Sequence, residues 1–430
     1  MFRIKNIEID GFWGRFKVET EFNNDINIFL GNNGTGKTTL INFIEGVLNA
    51  DIFILDSLEF NEINVLLTDS KHQRTINVKK NKNNLSNTEF IFTISREKYI
   101  IPCILDRNRF IRQRNRILTP RNSDEYNRLK LALHSLVSVS WLSVHRGLNI
   151  LSSDMNIIDE DEFSFSSSVD QRLKFLSNEF IKYQLQLQKN EDAISKKFLN
   201  EIIISMLYDE KLDSIDIKEI INTDLSQEEE NLTSAFKTLG VDSVGLQDKI
   251  KKHFEILNSC INKVKTETEK SEGARFRIAD VLPFPLIQRT RFLIQSRKEN
   301  LEKIKKVYTG IELFLNEIKD FFKNKKFALN RNGNIEVKVA NDKISIYQLS
   351  SGEKQLLIIL LEALLHQNKT CLFIADEPEI SLHVEWQEKL LDSIKKLNKN
   401  VQLIIATHSP EIVADYSKKV FHMENIVDVK

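Results

Sequence analysis

Apolar and polar residues alternate with period two in the opening of the chain. This alternation predicts strands over residues 2–9 and 15–22, and the Gly-Phe-Trp-Gly sequence at 11–14 predicts a turn between them. The short apolar run 26–30 predicts a third strand. Apolar residues then recur at helical spacing over 39–48, so the pattern predicts a strand, a glycine-rich loop and a helix in succession.

The middle of the chain changes from strand spacing to helical spacing. Period two between about 58 and 105 predicts an antiparallel meander beside the first strands. From about 170 to 325, charged residues interleave with apolar residues three and four positions apart, as at Phe254, Leu257, Ile261 and Val264. Gly240, Gly245 and the Pro-Phe-Pro run at 283–285 interrupt this spacing. The pattern predicts a helical bundle or a short hairpin and not a long coiled coil.

Strands alternate with helices again near the C-terminus. A hairpin is predicted over 327–339 with its turn at Asn332-Gly333, followed by a polar loop and a helix. The apolar segments 371–375 and 402–407 predict two strands separated by another helix. This alternation at both ends indicates an α/β class, in which the two ends form one domain and the helical middle is inserted into it.

Composition and charge exclude several classes of protein. The chain has 430 residues, 41% of them hydrophobic, which excludes a wholly disordered or fibrous protein. Because 61 basic residues balance 61 acidic ones, overall charge indicates no obligate nucleic-acid or membrane partner. Three cysteines without paired spacing, and an opening unlike a signal peptide, predict a cytoplasmic location. The apolar run 356–361 is too short to cross a membrane.

The glycine-rich loop between the third strand and the first helix fits the P-loop pattern. Residues 31–38 read Gly-Asn-Asn-Gly-Thr-Gly-Lys-Thr. The glycines let successive backbone N–H groups point at one phosphate, at the positive end of the helix dipole. Lys37 is placed to contact the β- and γ-phosphates, and the Thr38 hydroxyl is placed to coordinate Mg²⁺.

Two carboxylates follow the strand predicted over 371–375. Asp376 and Glu377 reach the edge of a parallel sheet at which the P-loop also opens. We therefore expect Asp376 to help hold Mg²⁺ and Glu377 to polarise the attacking water. A capping role for these acids is the alternative when the motif is considered alone.

A second anion cradle is predicted at residues 349–355, Leu-Ser-Ser-Gly-Glu-Lys-Gln, directly before a helix. One P-loop does not need two cradles. The simplest hypothesis is that this loop faces the γ-phosphate of a nucleotide bound to another copy of the chain.

The complete set of motifs resembles the nucleotide-binding domain of ABC-type ATPases. The segment 349–353 resembles the LSGGE signature, and Thr407-His408-Ser409 resembles the switch-histidine segment. The long interval between P-loop and signature resembles the SMC/RecF branch, in which a helical insertion divides the head. The run 376–383, Asp-Glu-Pro-Glu-Ile-Ser-Leu-His, followed by Trp386-Gln387, resembles OLD-type ATPases and the ATPase subunits of anti-phage systems such as Septu and PARIS.

This resemblance implies an α/β fold, with an ABC-type P-loop NTPase head, an antiparallel β meander and an inserted α-helical domain. It implies N-terminal head segment 1–148, helical insertion 149–325 and C-terminal head segment 326–430. It also implies ATP and Mg²⁺ as cofactors. The implied catalytic residues are Glu377 and His408, and the implied metal-binding residues are Thr38 and Asp376. The implied nucleotide-binding residues are Asn32, Asn33, Gly34, Thr35, Gly36, Lys37, Thr38, Thr39, Trp13, Ser350, Ser351, Gly352 and Glu353.

The sequence departs from the family pattern at four places. Trp13 replaces the usual arginine, and it either stacks on adenine or lies in the core. Ser351 stands where glycine is commoner in the signature, and His383 stands where transporters often carry aspartate. No clear Q-loop glutamine is present, and the strand predicted over 139–144 ends instead in His145-Arg146.

An arginine cluster stands out in the first third of the chain. Its members are Arg107, Arg109, Arg112, Arg114, Arg116 and Arg121. Arginine suits phosphate or carboxylate recognition, so the cluster is either a contact for nucleic acid or an acidic partner, or a solvated loop.

The function implied by the resemblance is that of an ATP-hydrolysing sensor or scaffold subunit in an anti-phage defence system. We expect an ATP-sandwich dimer, a higher homo-oligomer, and no membrane. OLD nucleases continue into a TOPRIM domain, whereas this sequence stops soon after His408, so a separate TOPRIM or HNH nuclease is the expected effector. The alternative is a RecF/SMC-like ATPase that binds DNA in repair or chromosome maintenance.

Overall fold

The structure is a computed structural model that describes residues 1–69, 71–82, 88–103, 120–142, 167–213, 217–238, 244–269, 277–340, 342–367 and 369–429. In chain order the strands are β1 (Arg3–Phe12), β2 (Phe16–Glu21), β3 (Ile26–Leu30), β4 (Glu62–Thr68), β5 (Gln73–Lys82), β6 (Thr88–Ile94), β7 (Glu97–Cys103), β8 (Val139–Leu142), β9 (Lys326–Leu329), β10 (Ile335–Val339), β11 (Asp342–Ile344), β12 (Cys371–Asp376), β13 (Val401–Thr407), β14 (Val420–His422) and β15 (Val427–Val429).

The helices, also in chain order, are α1 (Lys37–Leu48), α2 (Ile52–Ser57), α3 (Pro120–Leu136), α4 (Ser168–Ile204), α5 (Ile217–Ile221), α6 (Leu225–Thr238), α7 (Leu246–Thr268), α8 (Ile278–Val281), α9 (Phe284–Phe321), α10 (Ser351–Leu365), α11 (Val384–Leu397), α12 (Pro410–Val413) and α13 (Met423–Ile426). The chain divides into two compact units, which are residues 1–182 with 310–430, here called the head, and residues 183–309, here called the insert. In the part of the chain that the structure describes, no helix is both long and apolar enough to cross a membrane.

A parallel sheet forms the centre of the head, in the strand order β14-β3-β13-β12-β8. All its described neighbours pair in parallel. β3, β12 and β13 are apolar and almost wholly buried, which is typical of strands covered on both faces. Because their carboxyl ends lie at one edge, the loops after Leu30, Asp376 and Thr407 come together there.

The second sheet of the head is antiparallel, in the strand order β15-β2-β1-β4-β5-β6-β7. Alternate residues of β4 are buried, as the period-two pattern predicted. The predicted hairpin at 327–339 is also confirmed: β9 pairs with β10, and Gly333 takes a positive φ of 78° in its turn. The predicted fold class, an α/β ABC-type head with an antiparallel meander and an inserted helical domain, is confirmed.

The insert contains much of two long helices with shorter helices between them. α4 has 37 residues and α9 has 38. Within the insert they contact each other, since the Tyr308 hydroxyl donates to Glu191 at 2.6 Å. The sequence did not predict helices of this length. Two of the predicted interruptions fall at helix starts, with Gly245 at the N-cap of α7 and Pro285 in the first turn of α9, and Gly240 lies outside the described residues.

A buried polar cluster joins three elements of the head. The Glu362 carboxylate of α10, 2% exposed, accepts hydrogen bonds from Ser140 on β8 at 2.9 Å and from the Arg172 guanidinium on α4. His366 lies 3.7 Å from the same carboxylate, and burial lowers the pKa of His366 although Glu362 opposes the shift. The guanidinium is therefore the permanent countercharge of Glu362.

We expect Arg172→Ala to lower the free energy of unfolding of the head by about 3 kcal/mol, because it leaves the buried Glu362 charge without its countercharge. All three tryptophans lie in the head, so urea denaturation followed by tryptophan fluorescence reports this unit. The matched control is Lys182→Ala, also on α4, whose pair with Glu179 is solvent-exposed. Its expected cost is below about 1 kcal/mol. If both variants lost the same free energy of unfolding, the buried pair would stabilise the head no more than the exposed pair does.

Candidate functional site

The P-loop has the backbone conformation that its glycines permit. Gly34 and Gly36 have positive φ angles of 85° and 95°. A side chain at Gly36 has no room either, because an added Cβ atom would lie 2.9 Å from the Phe12 ring and 3.0 Å from the Trp13 ring. The loop thus turns tightly against the end of β1 before α1 begins at Lys37.

Lys37 folds back over its own loop. Its Nζ donates to the carbonyl oxygens of Gly31 at 2.7 Å and Asn32 at 3.1 Å, and the residue is 5% exposed. Burial lowers the pKa of the ammonium, while the carboxylates of Glu377 and Asp376 act in the opposite direction. A partly desolvated ammonium attracts a phosphate more strongly than a hydrated one.

The remaining predicted P-loop residues lie in the loop and at the start of α1. Thr35 closes the turn through its hydroxyl, which donates to the Asn32 carbonyl at 2.9 Å. Asn33 is exposed at the loop tip, and Thr39 lies in the first turn of α1. Backbone N–H groups at the start of α1 lack intrahelical partners and are suited to bind an anion.

Thr38 and Asp376 meet although 338 residues separate them in the sequence. The Thr38 hydroxyl donates to Asp376 Oδ1 at 3.2 Å, which brings two hard oxygen ligands together beside the P-loop. Mg²⁺ at nucleotide sites takes one or two protein oxygens and completes its octahedron with phosphate and water. These two residues therefore fit Mg²⁺, and their metal role stays a prediction.

Glu377 and His408 face each other across neighbouring strands. Glu377 Oε1 lies 3.6 Å from His408 Nε2, and both side chains are 36% exposed. The Glu377 N–H donates to the Ala406 carbonyl at 2.8 Å, and Glu377 has a positive φ of 49°. A non-glycine residue in this conformation is uncommon and often marks a functional site. The backbone turns the carboxylate out of the sheet toward the edge that the P-loop occupies.

The signature segment begins α10 with a capping box. The Ser350 hydroxyl accepts from the Glu353 N–H at 3.4 Å, and the Glu353 carboxylate accepts from the Ser350 N–H at 2.9 Å. Lys325 lies 2.5 Å from Glu353. Burial by itself would raise the pKa of Glu353, but Lys325 and the Ser350 donors lower it overall. Ser351 is exposed in the first helical turn. The N-terminus of α10, with its first backbone N–H groups, is therefore accessible to an anion.

Gly352 is fixed by the loop that follows Glu377. We call residues 378–383 the D-loop. An added Cβ atom at Gly352 would lie 2.0 Å from the Ser381 carbonyl oxygen, and Gln355 donates to the Pro378 carbonyl at 3.0 Å. The start of the signature helix and the D-loop are thus in direct backbone contact.

We expect Gly352→Ala to reduce ATP hydrolysis about tenfold or more, because the methyl group has to displace the D-loop backbone and the neighbouring signature loop. Binding of a fluorescent ATP analogue should stay close to wild type, since the P-loop is not altered. Steady-state phosphate release and fluorescence titration measure the two effects. Wild-type turnover in a folded variant would show that this close approach has no role in catalysis.

Trp13 lies beside the P-loop and is 38% exposed, so the alternative of a buried core tryptophan is wrong. Its ring is 4.8 Å from the Phe12 ring, and its φ of 54° turns it toward Gly36. An exposed aromatic ring at this position suits adenine stacking, which stays a prediction.

Some predicted residues lie outside the part of the chain that the structure describes. They are the arginines at 107, 109, 112, 114 and 116 and the pair His145-Arg146. Arg121 lies in α3, but the structure does not describe its side chain. The alternatives for the arginine cluster therefore remain as predicted from the sequence.

Two carboxylates beside the site had no role assigned from the sequence. Glu424 of α13 accepts from the Asn32 N–H at 3.4 Å. Glu379 of the D-loop accepts from the Thr407 hydroxyl and from the His408 N–H. The second glutamate of the Asp-Glu-Pro-Glu run was visible in the sequence, but Glu424 belongs to no motif.

Together these elements define a class of protein. This is an ABC-type ATPase of the SMC/RecF/OLD-like group. It combines a P-loop, a segment at a helix N-terminus that resembles the signature, two carboxylates at the end of a buried strand and a histidine directly after the next strand. The chain belongs to the AAA ATPase domain family, whose model matches residues 2–413.

The chain is similar to two retron proteins. It is 34% identical over 83 residues to the Retron Ec83 probable ATPase of Escherichia coli, which covers 17% of this chain and 15% of that protein. It is 24% identical over 152 residues to the Retron Vc95 probable ATPase of Vibrio cholerae, which covers 32% of this chain and 27% of that protein. The similarity thus spans less than a third of either relative.

Solved structures of SMC heads are also similar. The Smc head domain of Pyrococcus furiosus, bound to the C-terminal domain of ScpA, has 15% identity and a TM-score of 0.42, with 96% of this chain and 92% of that chain covered. The SMC head domain of Thermotoga maritima has 12% identity and a TM-score of 0.39, with coverage of 96% and 91%.

Proposed function

We propose that the chain binds ATP with Mg²⁺ and hydrolyses it in composite sites formed between two copies. The observation that carries this proposal is the contact between Thr38 and Asp376, with Glu377 and His408 facing each other after neighbouring strands. Bound Mg²⁺ would neutralise charge on the phosphates. Lys37 holds the phosphate oxygens, and Glu377 accepts the proton of the attacking water. His408 donates a hydrogen bond to the γ-phosphate, whose bond to the β-phosphate oxygen breaks as the water attacks, so that ADP is the leaving group.

The signature segment supplies the other half of each composite site in this proposal. Ser350, Ser351 and Gly352 lie at the N-terminus of a 15-residue helix, where the first N–H groups and the helix dipole favour an anion. The P-loop of the same chain has its own helix for this purpose. A γ-phosphate bound by one copy would therefore meet the signature segment of the next copy, so that ATP closes a dimer, which can extend into a higher homo-oligomer.

We further propose that the ATPase is the sensor or scaffold subunit of an anti-phage defence system and controls a separate effector nuclease. The similarity to two ATPases named for retrons supports this role, as does the Asp-Glu-Pro-Glu-Ile-Ser-Leu-His run. The test is a plaque assay on cells that carry the native gene neighbourhood. Wild type should reduce plaque formation, and Lys37→Ala should restore it to the level of cells without the genes.

The alternative role, a DNA-binding ATPase, predicts a different outcome in solution. Tight DNA binding that weakens steeply with salt, combined with unchanged plaque formation, would favour a DNA clamp and reject the defence role. Co-purification of a nuclease encoded beside the gene, with DNA binding absent, would favour the defence role.

A further inference from the structure

Glu379 connects the D-loop to the strand that carries the switch histidine. Its Oε1 accepts from the Thr407 hydroxyl at 2.6 Å and from the His408 N–H at 2.9 Å. Thr407 is fully buried at the end of β13. One carboxylate oxygen therefore fixes Thr407 and the backbone of His408, where the chain leaves β13.

A second set of bonds holds the same two segments together. Gln387 of α11 donates to the Leu382 carbonyl at 3.0 Å and accepts from the Ser409 hydroxyl at 2.7 Å. The D-loop and the segment 407–409 are thus joined on both sides of His408. The His408 imidazole itself is left to face Glu377 at 3.6 Å.

Glu379 is not placed to act as a base. Its Oε1 is occupied by two donors, and its Oε2 is enclosed without a hydrogen-bond partner among the described residues. Glu377, in contrast, has a partly exposed carboxylate at the sheet edge. Any effect of Glu379 on the reaction is therefore indirect, and it depends on Thr407 and His408, the residues to which it is hydrogen-bonded.

We propose that Glu379 is a positioning residue for ATP hydrolysis, which fixes Thr407 and the His408 backbone so that the His408 imidazole stays beside Glu377. This inference rests on the proposed ATP hydrolysis at the site. The same D-loop backbone contacts Gly352 through Ser381 and Gln355 through Pro378. His408 is therefore connected, through Glu379, to the signature segment of its own chain.

The test is a double-mutant cycle on kcat with Glu379→Ala and His408→Ala. Glu379→Ala alone should lower kcat about tenfold or more, because a shift of the imidazole by about 1 Å removes its alignment. Affinity for a fluorescent ATP analogue should change less than about twofold, since the P-loop keeps its contacts. In the His408→Ala background, Glu379→Ala should reduce kcat by less than about twofold further.

Three further variants separate positioning from general damage to the fold. Glu379→Gln keeps one acceptor oxygen for both bonds, so its kcat should stay within about threefold of wild type. Thr407→Val removes one donor at similar volume and should give an intermediate loss that disappears in the His408→Ala background. The matched control, Glu388→Ala, removes an exposed carboxylate of α11 and should behave as wild type.

The outcomes distinguish the positioning role of Glu379 from the proposed ATPase site itself. Wild-type kcat in Glu379→Ala, or independent losses that multiply in the double variant, would overturn the positioning role and leave the proposed ATPase intact. A parallel loss of nucleotide affinity would also overturn it, because it would indicate collapse of the site. An inactive wild type, or a fully active His408→Ala, would overturn the proposed site itself. If Glu379→Ala does not fold, the Thr407→Val cycle decides the question on the same criteria.

Discussion

We expect Glu377→Gln to form an oligomer that retains ATP and no longer hydrolyses it. The amide cannot accept the proton of the attacking water, so hydrolysis should fall by at least about 100-fold. Lys37 and the Thr38–Asp376 contact are unchanged, so ATP and Mg²⁺ should still bind. Size-exclusion chromatography with ATP and Mg²⁺, combined with analysis of the retained nucleotide, measures both effects.

The matched control for this variant is Glu388→Gln, which replaces an exposed carboxylate on α11. The control should hydrolyse ATP at the wild-type rate and should not accumulate as a closed oligomer. Wild-type hydrolysis by Glu377→Gln itself would show that another group is the catalytic carboxylate.

Mixing two inactive variants should restore activity if the sites are shared between chains. Lys37→Ala loses the ammonium that we propose to bind phosphate, and Ser351→Arg fills the exposed start of the signature helix, so each should be inactive alone. In a mixed dimer, one site carries both defects and the other carries neither. At equal amounts half of the dimers are mixed, so about a quarter of the wild-type activity is expected.

A mixture of Lys37→Ala with Thr38→Ala is the control for this experiment. Both changes lie in the P-loop half of the site, so no mixed dimer contains an intact site and no activity should return. Absence of recovery with Ser351→Arg at every ratio would indicate either that each site lies within one chain or that both sites must act together. Measurement of bound nucleotide per dimer separates these two cases.

The parts of the fold that follow from local patterns were predictable from the sequence. Buried apolar runs gave β3, β12 and β13, and the shared edge of a parallel sheet placed the P-loop, Asp376 and Thr407 together. Asn332-Gly333 gave the hairpin turn because glycine accepts a positive φ.

Contacts between distant segments were not predictable in the same way. β14 and β15 have three residues each, and they join the two sheets of the head by pairing with β3 and β2. Segments this short carry too little periodicity to be recognised, and their pairing is set by tertiary contacts. Glu424 reaches the P-loop only because α13, between these strands, brings it there. The hydrogen bond from the His408 N–H to Glu379 likewise depends on the path of the D-loop, and the conformational preferences of single residues do not determine that path.

The signature helix is held by ion pairs to both flanks of the insert. Lys354 pairs with Asp170 at the start of α4 at 2.7 Å, and Glu353 pairs with Lys325 just after α9. These flanking residues belong to the head, which includes residues up to 182 and from 310 onward. The Phe180 and Phe314 rings lie 5.6 Å apart near these limits.

For protein engineering, this arrangement defines where the chain can be shortened. A deletion that ends close to the signature loop would remove Asp170, Arg172 or Lys325 and leave the buried Glu362 or a partly buried charge of the signature helix unmatched. A deletion of residues 183–309 keeps every one of these pairs, and it also keeps the Phe180–Phe314 contact. A cut in the helical region therefore has to leave the Phe180–Phe314 contact and these ion pairs in place, so its position follows from the packing of the head and not from the visible edges of the sequence motifs.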